Sequence, residues 1–188
     1  MTFVSRAGEK LAHALASFGF SPADLVAADF GSSTGGFVDC LLQNGANKVY
    51  AVETGYGILD WGLRNNPQVI VLERTNAMHA KLPEKVDLIT SDTSWTKLNK
   101  VLPNIRKNLK PTGQAIVLVK PHYEADTKHL RKGKLPDEAI EEGLEEVRKQ
   151  IKEVSWEILK EVESPIVGKK GGNKEYLFLL NPLPESNP

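Results

Sequence analysis

Short apolar runs alternate with helix-like segments along the chain, and this alternation limits the possible folds more than any other feature. Five runs are typical of buried parallel strands: Leu25–Asp29, Val49–Glu53, Val69–Leu72, Val86–Ser91 and Ala115–Lys120. The segments between them predict helices at Arg6–Phe18, Gly36–Asn44, Gly57–Arg64 and Lys97–Leu109, the last followed by the turn signal Lys110–Gly113. Strands and helices in this order predict an α/β fold with a doubly wound, mostly parallel sheet.

The last third of the chain adds a charged helix and two strands, for seven strands in all. The helix is predicted at Pro136–Val154, and the strands at Trp156–Val162 and Glu175–Asn181. The polar stretch Glu124–Leu135 is a candidate lid or substrate loop. With 188 residues we expect one domain: an N-terminal helix within residues 1–20, a sheet core over 21–182 and a tail at 183–188.

Composition excludes several classes of protein. Hydrophobic residues make up 40% of the chain and charged residues 26%, as in a soluble globular domain. Cys40 is the single cysteine, so a disulfide framework is impossible. No run reaches the ~18 apolar residues of a membrane span, and Met1 opens no signal-peptide pattern, so we expect a cytoplasmic protein.

The net charge of zero conceals two oppositely charged parts. The segment Asp137–Glu163 has ten acids and four bases, or −6, so the rest of the chain carries +6. A solvated acidic helix face explains the first value without any function. The excess of bases falls largely in two loops, which are ordinary solvated loops or an RNA-binding surface: Lys128, Arg131, Lys132 and Lys134 in one, Lys169, Lys170 and Lys174 in the other.

A glycine-rich turn, Asp29–Phe37, follows the first predicted strand and indicates a nucleotide-type cofactor. It lacks the Lys-Ser/Thr of a phosphate-binding P-loop, and Ser33 stands where a dinucleotide fingerprint has its second glycine. A carboxylate at Asp29 repels pyrophosphate but suits a cationic sulfonium, and Glu53 at the end of the second strand can accept both ribose hydroxyls. These acids favour S-adenosylmethionine over NAD.

Four charged residues stand where strands or a helix open onto one end of the predicted sheet: Lys10, Asp92, Lys120 and Glu175. Each has a structural alternative, since Lys10 could be a solvated charge, Asp92 a helix cap and Glu175 a partner of a lysine in its own loop. Lys120 interrupts an apolar strand and is harder to explain structurally. In type and order the four resemble the Lys–Asp–Lys–Glu tetrad of FtsJ-class ribose 2′-O-methyltransferases.

Seven segments carry a more specific resemblance: Val4–Leu11, Gly31–Gln43, Val49–Gly57, Leu59–Trp61, Val71–Ala77, Val119–Pro121 and Gly172–Tyr176. They are similar to motifs of the TlyA family, hemolysin A-like, FtsJ-type rRNA 2′-O-methyltransferases. The resemblance covers about residues 4–181. Members usually carry a small RNA-binding domain before the Ser-Arg motif, which we expect to be missing here. His122-Tyr123 stands where the family usually has Gln-Phe.

The resemblance implies a Rossmann-like, class I S-adenosylmethionine-dependent methyltransferase whose last strand is antiparallel. Its substrate would be ribosomal RNA, typically at a cytidine ribose, and Lys10, Asp92, Lys120 and Glu175 would be catalytic. Lys120 would position the hydroxyl and stabilise the developing alkoxide, with proton acceptance as a second role. The expected cofactor-binding residues are Asp29, Gly31, Ser32, Ser33, Thr34, Gly35, Gly36, Phe37, Glu53, Thr75, Asn76, Ala77 and Asp92.

Other functions need features that the sequence lacks or leaves open. An NAD-dependent oxidoreductase would need the second glycine, and a membrane-active hemolysin an insertable segment. A cofactor-binding RNA module with little or no turnover is the more serious alternative. The four histidines share no ligand spacing with Cys40, so we expect no metal site. We interpret Trp61 and Trp95 as packing residues.

Overall fold

The computed structural model describes residues 2–93, 96–124, 134–168 and 172–184, and it contains the predicted seven strands. The strands are β1 (Val26–Phe30), β2 (Lys48–Val52), β3 (Val69–Leu72), β4 (Val86–Ser91), β5 (Leu109–Val119), β6 (Trp156–Glu163) and β7 (Tyr176–Pro182). They form one sheet in the order β3-β2-β1-β4-β5-β7-β6. Pairing is parallel from β3 to β5, whereas β7 is antiparallel to both β5 and β6. The predicted α/β fold with an antiparallel last strand is confirmed.

Helices cover both faces of this sheet. They are α1 (Ala7–Phe18), α2 (Gly36–Gln43), α3 (Trp61–Arg64), α4 (Leu98–Asn108), α5 (Pro121–Glu124) and α6 (Ile140–Glu153). On one face, Leu11 of α1 and Leu41 of α2 belong to a fully buried core with Ala27 of β1. On the other face, Ile105 of α4 and Ile151 of α6 are fully buried in a second core. Apolar residues recur along each helix with the helical period, which gives it one buried stripe.

The start of β5 differs from the prediction, because the turn signal at residues 110–113 lies inside the strand. Val86 pairs with Leu109, yet Leu88 already pairs with Gln114, so the four residues 110–113 of β5 stand opposite the single residue Asp87 of β4 and bulge from the ladder. A Cβ added at Gly113 would lie 3.0 Å from the carbonyl oxygen of Val86. Glycine fits that close approach without displacing its neighbours, and the bulge places the Pro-Thr-Gly sequence within the sheet rather than before it.

The short helix α3 also begins later than predicted. The sequence pattern placed its start at Gly57, but Gly57 has a φ of 69° and the helix begins at Trp61. The Asp60 carboxylate caps it by accepting a hydrogen bond from the Gly62 amide at 2.8 Å. In the described part of the chain, no helix is long and apolar enough to cross a membrane.

Candidate active site

The predicted tetrad lies at the carboxyl ends of the parallel strands. Asp92 follows β4 and its amide donates to the Phe30 carbonyl at 3.2 Å, which ties it to the end of β1. Lys120 follows β5, and Glu175 precedes β7. Because Val119 pairs with Tyr176 in the antiparallel β5–β7 ladder, the next step of that ladder sets Lys120 opposite Glu175. The sheet therefore brings Asp92, Lys120 and Glu175 to the same end, where the parallel strands terminate.

The four side chains form two ion pairs. Lys120 Nζ lies 2.5 Å from Asp92 Oδ1, and their side chains are 11% and 24% exposed. Lys10 Nζ bonds Glu175 Oε2, across 165 residues of sequence, and these side chains are 7% and 5% exposed. One pair is thus buried beneath α1 while the other reaches the surface. Removing one partner of the buried pair would leave an uncompensated charge, which typically costs several kcal/mol.

This pairing decides between the structural alternatives for the tetrad. Lys10 is not a solvated charge, because it is buried. Glu175 binds Lys10 and not a lysine of its own loop, among the residues that the structure describes. The Glu175 carboxylate is closely packed against Gly168, since a Cβ added at Gly168 would lie 2.8 Å from Glu175 Oε1. The carboxylates of Asp92 and Glu175 therefore each hold one lysine at the same end of the sheet.

The glycine-rich turn passes directly beside Asp92. Gly31 has a φ of 86°, and a Cβ there would lie 2.8 Å from the Asp92 carbonyl oxygen. Ser33, in the position of the second glycine, adopts the left-handed φ of 49° that glycine usually supplies. Its amide donates to Glu53 Oε2 at 2.9 Å. The buried Ser32 hydroxyl has no hydrogen-bond partner among the described residues, as expected for a group that awaits a ligand.

Glu53 organises the loop after β2. Besides the Ser33 amide, its carboxylate accepts bonds from the Gly55 amide at 2.8 Å and the Thr54 hydroxyl at 2.9 Å. Burial alone would raise the pKa of Glu53, but the Gly55 and Ser33 amides and Thr54 outweigh it and hold that pKa below its ordinary value. A carboxylate has about four acceptor positions, so three internal bonds leave room for about one ribose hydroxyl. From the sequence we expected Glu53 to accept both ribose hydroxyls.

Asp29 lies beneath the turn and not on its surface. It is 1% exposed, and the Thr90 hydroxyl donates to its Oδ1 at 2.7 Å. Burial raises the pKa of Asp29 to about 7, with smaller contributions from Asp92 and Glu53, although the bond from Thr90 opposes the rise. The pairing of Asp29 with Thr90 across β1 and β4 places both carboxyl and hydroxyl on the face covered by α1 and α2.

Three predicted cofactor residues have side chains engaged elsewhere. The Phe37 ring is buried in the core under α2, and Ala77 is buried in the core on the other face, with its carbonyl accepting from Asn104 Nδ2 at 2.7 Å. Asn76 Oδ1 accepts a hydrogen bond from the Met78 amide, which leaves one lone pair of that oxygen and the side-chain amide nitrogen for a ligand. Cofactor binding by Phe37, Asn76 and Ala77 stays a prediction. Thr75 donates its amide to the Glu53 carbonyl at 2.9 Å, beside the turn.

The predicted RNA-binding residues are described only in part. Lys128, Arg131, Lys132, Lys169 and Lys170 lie outside the described residues. Lys134 is exposed, and the amide of the next residue, Leu135, donates to Asn173 Oδ1 at 2.9 Å. Lys174 lies 3.9 Å from Glu163 across β6. The ends of the two basic loops therefore meet beside Glu175.

Some features of this region escaped sequence analysis. Trp61 is 79% exposed, so its interpretation as a packing residue is wrong, whereas Trp95 lies outside the described residues. His122, two residues beyond Lys120, is buried, and burial together with the Lys120 charge lowers its pKa to about 4. Its position directly after a strand-end Lys-Pro was the one available signal. Among the described residues, no group of His, Cys, Asp and Glu could hold a metal ion.

Comparison with known proteins identifies relatives over nearly the whole chain. A family model described as FtsJ-like methyltransferase matches residues 3–182. The 16S/23S rRNA (cytidine-2′-O)-methyltransferase TlyA of Mycobacterium tuberculosis is 36% identical over 184 residues, 95% of this chain and 68% of that protein. Hemolysin A of Brachyspira hyodysenteriae is 38% identical over 181 residues, 93% of this chain and 75% of that protein.

A solved structure from Streptococcus thermophilus, described as a putative hemolysin, is similar throughout. It superposes with a TM-score of 0.93 at 36% identity, covering 98% of this chain and 68% of that one. The chain spans 66% to 75% of the length of the curated relatives it matches.

Proposed function

The chain belongs to the FtsJ-like methyltransferase family, and from that premise we propose that it methylates a ribose 2′-hydroxyl of ribosomal RNA, at cytidine, with S-adenosylmethionine as donor. The TlyA proteins among its relatives are named for this reaction. The observation that carries the proposal is the Lys120–Asp92 pair, which stands at the end of the sheet beside the glycine-rich turn.

The residues around the turn fit S-adenosylmethionine. Gly31 and Gly35 keep the backbone open where a Cβ would collide with Asp92 or Leu63. No side chain caps the N-terminus of α2, and the Ser32 hydroxyl is buried without a partner in the described part of the chain. The Glu53 carboxylate retains acceptor capacity for a ribose hydroxyl, and we assign the adenine to Thr75 and Asn76, since the Thr75 amide bonds the Glu53 carbonyl. Glu53 has no ion-pair partner in the described part of the chain, and it gives the site, together with Asp29 when that carboxyl ionises, a negative potential that favours a sulfonium.

The chemistry assigns different work to the two ion pairs. S-adenosylmethionine supplies an electrophilic methyl group. The ribose hydroxyl is a poor nucleophile, so the site must align its oxygen with that methyl group and stabilise the negative charge that develops as its proton leaves. Lys120 is suited to both tasks, because a charged lysine donates up to three hydrogen bonds and Asp92 fixes its direction. The buried Lys10–Glu175 pair supports the strand end from which Lys120 projects.

This arrangement also indicates where the proton of the ribose hydroxyl goes. The contact of 2.5 Å between Lys120 and Asp92 is a salt bridge, made by the ammonium form of lysine. A lysine in that form holds the oxygen and leaves the hydroxyl proton to be passed to water. Proton acceptance by Lys120 requires prior loss of its own proton and is the secondary role.

The proposal is tested by transfer of tritium from labelled S-adenosylmethionine to ribosomal subunits and to naked rRNA. Label in the RNA that survives as a 2′-O-methylated nucleoside after nuclease digestion is the expected result, and Lys120→Ala should abolish it. Lys110→Ala is the matched control, because Lys110 lies near the start of β5 and likewise pairs with an aspartate, Asp87 of β4, at 2.8 Å. No label in any RNA, with cofactor binding intact, would indicate a cofactor-binding RNA module instead.

A further inference from the structure

An exposed aromatic loop stands between β2 and α3, at the same end of the sheet as the ion pairs. Within residues 56–61, Trp61 is 79% exposed, Tyr56 70% and Ile58 43%. Large apolar side chains this close together on a surface are uncommon unless something binds them. We call residues 54–61 the aromatic loop. Its exposed side chains take no part in the cofactor site described above.

The aromatic loop is held rigidly despite its exposure. The Asp60 amide donates to the Thr34 carbonyl at 3.1 Å, which fastens the loop to the glycine-rich turn. Gly57 donates its amide to Glu73 Oε1 at 2.7 Å, and Glu73 also binds the Arg64 guanidinium. Leu59 and Leu63 anchor the loop from below, since both are buried against Gly35. A rigid aromatic surface loses little conformational entropy when it binds a ligand.

The three acidic side chains in and beside the aromatic loop accept hydrogen bonds from nearby groups. Asp60 caps α3, Glu53 accepts from Ser33 and Gly55, and Glu73 is engaged with Gly57 and Arg64. Of the exposed residues, Thr54 and Asp60 are polar or acidic, whereas the large exposed side chains are apolar, aromatic or, at Arg74, cationic. The Arg74 guanidinium lies 4.6 Å from the centre of the Tyr56 ring, and Arg74 adopts a left-handed φ of 52°. Strained backbone that presents a side chain in this way is common at binding sites.

From this arrangement we propose that the aromatic loop binds single-stranded RNA, with an unpaired base stacked on the Trp61 indole and a neighbouring base or phosphate at the Tyr56–Arg74 pair. The proposal rests on the proposed function, because it names where the RNA beside the target ribose is held. Aromatic rings and guanidinium planes are the groups on which proteins stack unpaired bases. An aromatic side chain that instead covered the cofactor would pack against the glycine-rich turn, whereas Trp61 is the most exposed of the large hydrophobic residues that the structure describes.

The direct test is equilibrium binding of a fluorescently labelled, unstructured single-stranded RNA to the full chain and its variants. Trp61→Ala should weaken binding about 5-fold to 150-fold, the range that ~1–3 kcal/mol of stacking per base represents. Trp61→Phe keeps a π-face and should retain most of the affinity. Leu159→Ala is the matched control, since Leu159 is 40% exposed on β6, at the opposite edge of the sheet, and should bind like the wild type.

Two further measurements decide between occupants. Affinity for S-adenosylhomocysteine should be unchanged in Trp61→Ala; a parallel loss of that affinity would reassign the loop to the cofactor. Sedimentation with phosphatidylglycerol vesicles should be negligible; vesicle binding that depends on Trp61, with RNA affinity unaltered, would overturn the proposal in favour of a membrane surface. RNA affinity equal in Trp61→Ala and wild type would also overturn it.

Failure of this inference is distinguishable from failure of the proposed function. If the wild type binds RNA through Trp61 but methylates none, the aromatic loop is an RNA-binding site and the proposed methyltransferase activity is wrong. A wild type that methylates rRNA, with Trp61→Ala unchanged in both KM and RNA affinity, leaves the activity and removes the loop.

Discussion

Two buried groups beside the glycine-rich turn should make stability depend on pH in opposite directions. Asp29 has a pKa raised from 3.8 to about 7, chiefly by burial, and His122 a pKa lowered from 6.5 to about 4, by burial and then by Lys120. Each pKa unit of difference between the folded and unfolded states corresponds to ~1.4 kcal/mol of linked free energy. Asp29→Asn and His122→Gln remove one titration each with little change in shape.

The signs follow from which state binds more protons. Between pH 3.8 and about 7 the folded state keeps Asp29 protonated while the unfolded state releases the proton, so stability falls by about 4 kcal/mol as the pH rises. Between about pH 4 and 6.5 the unfolded state protonates His122 while the folded state does not, so stability rises by about 3 kcal/mol with pH. In the wild type the two slopes largely cancel up to pH 6.5.

The variants should expose the two slopes separately. Asp29→Asn should gain stability by about 3 kcal/mol from pH 4 to 6.5, and His122→Gln should lose about 4 kcal/mol from pH 4 to 7. Urea unfolding followed by circular dichroism at half-unit pH intervals measures both, and differences between variants cancel titrations common to all three proteins. If the free-energy difference between Asp29→Asn and wild type is the same at pH 4 and pH 7.5, Asp29 is not protonated in the folded protein and the reasoning fails.

Three further outcomes are expected from the site. Lys120→Ala should abolish methyl transfer, and Lys120→Arg should not restore it, because guanidinium is bulkier and cannot accept a proton. Calorimetry should find the affinity for S-adenosylhomocysteine unchanged in both variants. Methylation by either variant at the wild-type rate would remove Lys120 from the mechanism. Glu53→Ala should lose ~1.5–3 kcal/mol of S-adenosylhomocysteine binding free energy, the value of a hydrogen bond to a charged acceptor. The control is Glu84→Ala, which removes a carboxylate from an exposed ion pair with Lys48 and should bind the ligand normally. Undiminished affinity in Glu53→Ala would contradict the assignment of Glu53 to the ribose. Lys134→Glu should weaken RNA binding and flatten its dependence on salt, because fewer counterions are released. Lys149→Glu on the acidic helix α6 should do neither. If the salt dependence of RNA binding is the same in Lys134→Glu and the wild type, the RNA-binding surface lies elsewhere.

The fold was predictable because its signals are local. The apolar run of β1 was placed at Leu25–Asp29 and the strand occupies Val26–Phe30, a shift of one residue. Such runs are buried on both faces and need no partner to be recognised. The start of β5 was missed for the opposite reason: a Pro-Thr-Gly sequence reads as a turn, and only pairing with β4 shows that residues 110–113 form a bulge within a strand.

The sequence predicted that the four charged residues lie at one end of the sheet, but not how they pair. Lys10 and Glu175 were both named, yet 165 residues separate them and their contact depends on how α1 packs against the sheet. Ser33 could be seen to replace a glycine, but its left-handed φ and its bond to Glu53 require the folded turn. The exposure of Trp61 could not be anticipated either, because an apolar side chain in a helical segment ordinarily packs inward.

The charges around the turn give an argument about the ligand that does not depend on family. Four carboxyl groups, those of Asp29, Glu53, Asp92 and Glu175, face two lysines, Lys10 and Lys120, and each lysine pairs with one carboxylate. Asp29 and Glu53 have no ion-pair partner in the described part of the chain, and burial, with smaller contributions from Asp92 and Glu53, raises the pKa of Asp29 to about 7. A cation bound here would lower the pKa of Asp29 and release that proton, whereas a pyrophosphate would add to the repulsion. The electrostatics of the site therefore favour a sulfonium ligand over a dinucleotide, and favour it more strongly as Asp29 ionises.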